Sequence, residues 1–98
     1  MARYIMFWDY NQDHCPVTMQ DKVKQWLTLT EEVKRMLKSG VVKDWTHYVG
    51  ESGGYVIAEG DETDILKLEG SFIPYVKWTT KALLTVEQCE QAWRSMLG

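Results

Sequence analysis

The chain has 98 residues, 45% of them hydrophobic and 26% charged, which predicts one compact domain spanning residues 1–98. Its formal net charge is -3 and its eleven lysines and arginines are scattered, so nucleic acid is not an expected partner. No apolar run approaches the roughly 20 residues of a membrane span, and no cleavage pattern opens the chain. We therefore expect a cytoplasmic protein that does not associate with membranes.

The first predicted element is a strand from Arg3 to Tyr10, where residues are nearly all aromatic or β-favouring. Both of its faces are apolar, which predicts a central position in a sheet. Pro16 suits the first turn of a helix, and Gly40 is a suitable end for one. Between them, apolar side chains at a spacing of three and four predict a long helix whose buried face comprises Met19, Val23, Trp26, Leu27, Thr30, Val33 and Leu37.

Two further strands are predicted from Val41 to Val49 and from Tyr55 to Glu59. The short connection between them is rich in glycine, so the two strands should pair antiparallel. Asp61 is a suitable N-cap for a short second helix. That helix presents Ile65, Phe72 and either Leu66 or Leu68 as its apolar residues.

The last strand is predicted to follow Pro74 and to run to Leu84, because apolar and polar residues alternate there. Thr85 and Gln88 have the spacing of a capping box, which predicts the start of a closing helix. The predicted buried stripe of this helix consists of Val86, Cys89, Trp93 and either Met96 or Leu97.

The element order βαββαβ, followed by a C-terminal helix, predicts an α+β fold with a ferredoxin-like antiparallel sheet. Right-handed crossovers place both connecting helices on the same face of such a sheet. The other face is left uncovered by the chain. Because this exposes an apolar surface, we expect a homodimer in which a second copy covers it.

The chain resembles the dimeric α/β-barrel superfamily, and within it an uncharacterised branch of small domains. The resemblance covers nearly the whole chain and rests on the first strand, the long helix and three segments: 44–50 (DWTHYVG), 54–61 (GYVIAEGD) and 73–76 (IPYV). It implies that two sheets pair into a barrel and that a small organic ligand lies between sheet and helices. These segments mark a fold, and function does not transfer with a fold.

His47 is the candidate catalytic residue, because imidazole titrates near neutral pH and this histidine has aromatic neighbours in the sequence. The alternative is a histidine with a structural role only. The candidate ligand-binding residues share large aromatic rings that suit stacking on a flat molecule: Trp8, Trp45, Tyr48, Tyr75 and Trp78. Aromatic residues more often fill cores and dimer interfaces, and that interpretation stays open.

The loop after the first strand contains Asp9, Asn11, Asp13, His14 and Cys15. Its donors lack the spaced pairs of zinc sites, so no metal is predicted. No cofactor is predicted either, because neither His14 nor His47 is well placed as an axial haem ligand. The two cysteines do not form a CxxC pair and are expected to be free thiols.

Three functions remain open at this point. The first is binding of a small apolar or aromatic ligand between sheet and helices. The second is a cofactor-independent monooxygenase or isomerase reaction that uses His47. The third is a structural assembly subunit whose interior is packed solid by Trp26, Leu27, Phe72 and Trp93.

Overall fold

The computed structural model describes residues 2–98. Its elements, in chain order, are β1 (Ala2–Tyr10), a 3₁₀ turn (Gln12–His14), α1 (Met19–Ser39), β2 (Val42–Trp45), β3 (Gly53–Gly60), α2 (Glu62–Gly70), β4 (Val76–Leu83) and α3 (Val86–Met96). The fold is therefore α+β, with a four-stranded antiparallel sheet and three helices. Among residues 2–98, no helix combines the length and the hydrophobicity needed to cross a membrane.

The strands lie in the order β2-β3-β1-β4, so β1 is central, as its two apolar faces predict. Side-chain alternation along β1 gives the two faces of the sheet different roles. Met6 and Trp8 are buried beneath the helices, whereas Phe7, on the opposite face, is 37% exposed. The helix-covered core gathers side chains from the sheet, α1 and α2: Met6, Trp8, Val33, Met36, Val42, Val56, Ala58, Ile65, Leu68, Phe72 and Val76.

The long helix α1 begins later than predicted. Thr18 caps it by accepting a hydrogen bond from the Asp21 amide, so the first turn follows Pro16 rather than containing it. The end is as predicted, with Gly40 in the left-handed conformation at φ 89°. The predicted buried face is partly wrong, because four of its members are exposed: Met19, Val23, Leu27 and Leu37. Trp26, Thr30 and Val33 face inward as predicted, and Leu29 and Met36 join them.

The strand predicted from Val41 to Val49 is wrong beyond Trp45, since β2 ends there. The ladder becomes irregular because the Thr46 hydroxyl accepts a hydrogen bond from the Tyr55 amide and donates one to the Tyr55 carbonyl. Residues 46–52 therefore form a loop between β2 and β3, and His47 lies in this loop rather than in a strand. The antiparallel pairing of β2 with β3 is confirmed.

The start of α2 is as predicted. Asp61 and Asp64 form a reciprocal capping box, in which each carboxylate accepts from the other residue's backbone amide. Ile65 and Leu68 face the core, while Leu66 is exposed. β4 then pairs with β1 along its whole length.

The closing helix α3 has the predicted capping box at Thr85 and Gln88, but its predicted buried stripe is wrong. No residue of α3 is buried, and Trp93 is 66% exposed. The Cα radius of gyration is 16.3 Å, compared with roughly 13 Å for a compact domain of this length. The molecule measures 60 × 25 × 22 Å, so α3 extends from the body as an arm.

Candidate ligand-binding cleft

An aromatic cluster surrounds Trp8 on the helix-covered face of the sheet. The Trp8 ring stacks on Trp45 with 5.6 Å between centroids, and it meets the edges of Tyr10 and His47 at 5.2 Å each. Its indole nitrogen donates to the Thr46 carbonyl at 3.2 Å. Trp8 is therefore a structural centre that positions the loop 46–52, and it is 5% exposed.

The space between sheet and helices is a narrow cavity of about 30 Å³. Its walls are almost entirely apolar and include Trp26, Phe72 and Trp78. A space of this size accommodates one or two water molecules, whereas sites for organic ligands are roughly ten times larger. The large side chains that line the cavity therefore leave no room for an organic ligand there.

A wider cleft of about 420 Å³ lies at one end of this layer, next to the narrow cavity. It opens between the start of α1, the turn after β1 and the loop 46–52. Tyr10 and Trp26 line both spaces. The remaining residues of the cleft are Gln12, Cys15, Met19, Lys22, His47, Tyr48, Gly50, Glu51 and Ser52.

Tyr10 is positioned by the end of β1, and its ring lies 5.8 Å from Trp26 and 5.9 Å from His47. Burial raises the pKa of the Tyr10 phenol, and the negative charge that Cys15 carries when deprotonated adds to the rise in pKa. The phenol is therefore neutral at physiological pH and is able to donate a hydrogen bond. Within residues 2–98 its hydroxyl has no hydrogen-bond partner.

His47 is exposed, but its ring is held against the aromatic cluster. Nδ1 lies 2.6 Å from the Tyr48 carbonyl oxygen, which can only accept a hydrogen bond. Nδ1 therefore carries the proton, and Nε2 of the neutral ring is left as an acceptor. The sequence left open which face of the sheet would carry His47, and its contacts place it on the helix-covered side.

The structure separates the five aromatic residues predicted to bind ligand. Trp8, Trp45 and Trp78 line the narrow cavity, and Trp78 also donates its indole N–H to the Glu69 carbonyl at 3.2 Å. Tyr48 lines the cleft, and Tyr75 lines neither space.

The sequence interpretation missed Tyr10, Trp26 and Lys22 as residues of the cleft. Trp26 was assigned only to the helix core, and Tyr10 only to a strand face. The signal that connects them is positional, because Tyr10 is the last residue of β1 and Lys22 and Trp26 are four residues apart in the first half of α1.

The loop after β1 uses its polar groups on itself. The Asn11 side-chain amide lies 3.1 Å from Nδ1 of His14 and donates to the Pro74 carbonyl at 2.9 Å. The Cys15 thiol donates to the Asn11 carbonyl. In the part of the chain that the structure describes, no three histidine, cysteine or acidic side chains come together as metal ligands would.

In comparisons with known proteins, no protein family and no curated protein matches the sequence.

Proposed function

We propose that this protein binds a small aromatic molecule with an anionic substituent in the cleft between α1 and the loop 46–52. The observation that carries the proposal is the cleft itself, about 420 Å³ with the Tyr10 and Trp26 rings in its wall. Natural ligand sites of this kind combine apolar walls with a few polar groups that set orientation.

The chemistry of the wall favours an aromatic acid. Aromatic side chains stack on flat rings, and Tyr10 adds a neutral hydrogen-bond donor. Lys22 is half-buried in the wall and forms no ion pair among residues 2–98, so its ammonium group is free to meet a carboxylate. Glu51 is an exposed residue of the same cleft, and its negative charge disfavours the binding of ligands with two negative charges.

A second candidate function is proton transfer to or from such a ligand by His47. It is favoured by the bond from Nδ1 to the Tyr48 carbonyl, which leaves Nε2 as a base. This is the cofactor-independent isomerase or oxygenase alternative, and it requires the same cleft.

The fold and assembly form part of the proposal. The strand order β2-β3-β1-β4, together with α1 and α2 on one face, supports a ferredoxin-like fold. We further propose a homodimer, because the opposite face of the sheet carries apolar side chains that the chain itself leaves uncovered, Phe7 among them. A closed dimeric α/β barrel is one way for a second copy to cover that face.

The test is a titration of ¹⁵N-labelled protein with 4-hydroxyphenylacetate, indole-3-acetate and their neutral analogues p-cresol and indole. We expect the acids to shift the amide signals of residues 10, 22 and 47–52, and to bind more tightly than the neutral compounds. Millimolar acids that leave these signals unchanged would refute the proposal.

Two variants assign the polar contacts. Lys22→Gln should weaken binding of the acids by about tenfold, the value of one charge-assisted hydrogen bond of roughly 1.5 kcal/mol. Lys24→Gln is the matched control, because Lys24 is exposed on the same helix and lies outside the cleft. His47→Gln separates the two functions: binding that persists while turnover of the bound acid is lost supports proton transfer.

A further inference from the structure

The helix α3 is amphipathic but lacks a partner in its own chain. Its apolar residues lie on one face, since positions 86, 89, 93, 96 and 97 fall within about 100° of the helix circumference. The most exposed of them are Val86 at 74%, Met96 at 80% and Leu97 at 91%. An exposed apolar stripe of this kind, in a protein that is otherwise packed, marks an interaction surface.

The arm is fixed in direction by its own sequence. Only Leu84 and Thr85 separate β4 from α3, and the capping box at Thr85 and Gln88 sets the first turn. In this structure no residue of α3 is buried against its own chain. The stripe is therefore available to another molecule.

The uncovered face of the sheet is the second unpartnered surface of the same chain. Its centre consists of Ile5 and Phe7 on β1 with Tyr55 and Ile57 opposite them on β3. Lys77 and Lys81 flank this centre on β4, and the Lys81 ammonium lies 6.0 Å from the centroid of the Phe7 ring. Neither lysine enters an ion pair among residues 2–98.

The two surfaces are complementary in charge. Glu87 and Glu90 lie along one flank of the α3 stripe, and Glu90 pairs only with the exposed Arg94 one turn later. The sheet face is basic along β4, whereas Asp9 on β1 and Glu59 on β3 place acidic groups elsewhere on the same face. The acidic flank of the stripe therefore matches the β4 side of the face, and such complementarity sets the orientation of docking.

We propose that α3 docks on the uncovered sheet face of a second copy of this chain, so that two protomers exchange arms. Two-fold symmetry then buries two arms and two sheet faces at once. A standard interface of roughly 1,600 Å² requires about 400 Å² from each of these four surfaces. The Trp93 side chain supplies on the order of 150–250 Å² of this area, and the exposed side chains of Val86, Met96 and Leu97 add to it.

This arrangement differs from a closed barrel in which the two sheets contact each other directly. In the arm exchange, both Trp93 and Phe7 are buried in the interface. In the barrel, Phe7 is buried and Trp93 stays exposed. The two arrangements therefore respond differently to the same substitutions.

The first experiment measures the mass of the full chain by light scattering during size-exclusion chromatography. We expect a dimer for the unmodified protein, and monomers for Trp93→Glu and for Phe7→Lys. Gln91→Glu is the matched control, because Gln91 lies on the polar side of α3, and it should remain a dimer. An unmodified protein that is a monomer at micromolar concentration, or a Trp93→Glu variant that is still a dimer, would overturn the proposal.

The second experiment locates the docking site by oxidative cross-linking with copper phenanthroline and oxygen. Cys89 lies on the α3 stripe, so Phe7→Cys in a Cys15→Ser background should form a disulfide-linked dimer through Cys89. The cross-link should disappear when Cys89→Ser is added. Val49→Cys in the same background is the control, because this residue is fully exposed in the loop 46–52 and away from the sheet face. Equal cross-linking through Val49→Cys and Phe7→Cys would contradict the proposed site.

Both experiments are independent of the ligand. Loss of the dimer in Trp93→Glu with unchanged binding of aromatic acids would separate assembly from the cleft.

Discussion

The indole N–H of Trp8 donates to the backbone carbonyl of Thr46 at 3.2 Å, across 38 positions of sequence. This bond connects the central strand to the first residue of the loop that walls the cleft. A second tryptophan makes a bond of the same length elsewhere, since Trp78 donates to the Glu69 carbonyl at the end of α2. The two tryptophans therefore form a natural pair for comparison.

Trp8→Phe should lower the free energy of unfolding by about 2 kcal/mol, from one lost hydrogen bond and the smaller ring. Trp78→Phe should have a similar cost, because it removes the same kind of bond. Only Trp8→Phe should loosen the loop 46–52, which hydrogen exchange at the Tyr48 amide measures. Equal acceleration of exchange in both variants would show that Trp8 does not hold the loop specifically.

Gly54 is required where β3 passes the loop. A Cβ added there would clash with the Thr46 backbone carbonyl, and backbone atoms cannot move aside as a flexible side chain can. Gly54→Ala should therefore lower the free energy of unfolding by roughly 3 kcal/mol or more. The added methyl group would push the backbone at Thr46 away from β3 and break the hydrogen bonds between them.

Gly70→Ala is the matched control for Gly54→Ala. An added Cβ at Gly70 meets no atom within 4 Å, and the residue is the last of α2. The change should be neutral or stabilising by about 0.5–1 kcal/mol, since alanine loses less backbone entropy on folding. Urea unfolding measures both variants, and equal losses would contradict the role assigned to Gly54.

The sequence predicts the elements whose signals are local. The N-cap at Asp61 and the capping pair of Thr85 with Gln88 are local signals, and both helices begin where these residues indicate. The central position of β1 follows from its two apolar faces, and these can be recognised from the alternation of side chains along a single strand.

The errors arise where distant residues decide. β2 ends at Trp45 because Thr46 bonds to Tyr55, and no pattern within the strand itself indicates that end. The sequence correctly predicts that α3 is amphipathic, but this pattern does not indicate whether the apolar side packs on the same chain or on another molecule. The sequence did not predict the cleft for the same reason. Tyr10 and Lys22 belong to different elements and come to line one space only when α1 packs over the sheet.

Asn11 joins the turn after β1 to the segment that precedes β4. Its side chain donates to the Pro74 carbonyl, and its side-chain oxygen accepts from the Asp13 amide. Asn11→Ala should cost about 1–2 kcal/mol in the free energy of unfolding, because it leaves the Pro74 carbonyl without this donor. Asn11→Asp should recover part of the loss, since its carboxylate still accepts from Asp13 but cannot donate.

Chemical denaturation at neutral pH measures the Asn11 series. Gln12→Ala is the control, because Gln12 is exposed in the same turn. An Asn11→Ala variant as stable as Gln12→Ala would show that the turn is held by backbone bonds alone.

The stability of the fold should depend on the protonation of Tyr10 at alkaline pH. Burial raises the pKa of this phenol above its ordinary value of 10.0, and the Cys15 charge adds to the rise in pKa. Between the unfolded and the folded pKa, the folded protein keeps the proton that the unfolded chain has lost. Folding stability therefore falls as pH rises above about 10, and the contribution is fully present below it.

Tyr10→Phe removes this proton and should flatten the alkaline decline in stability relative to the unmodified chain. The lysines titrate in the same range, so the difference between the two proteins isolates Tyr10. Tyr75→Phe is the control, because this exposed tyrosine does not line the cleft. Thermal unfolding from neutral pH to about pH 11 measures the three proteins, and parallel declines for all three would contradict a buried phenol at the cleft.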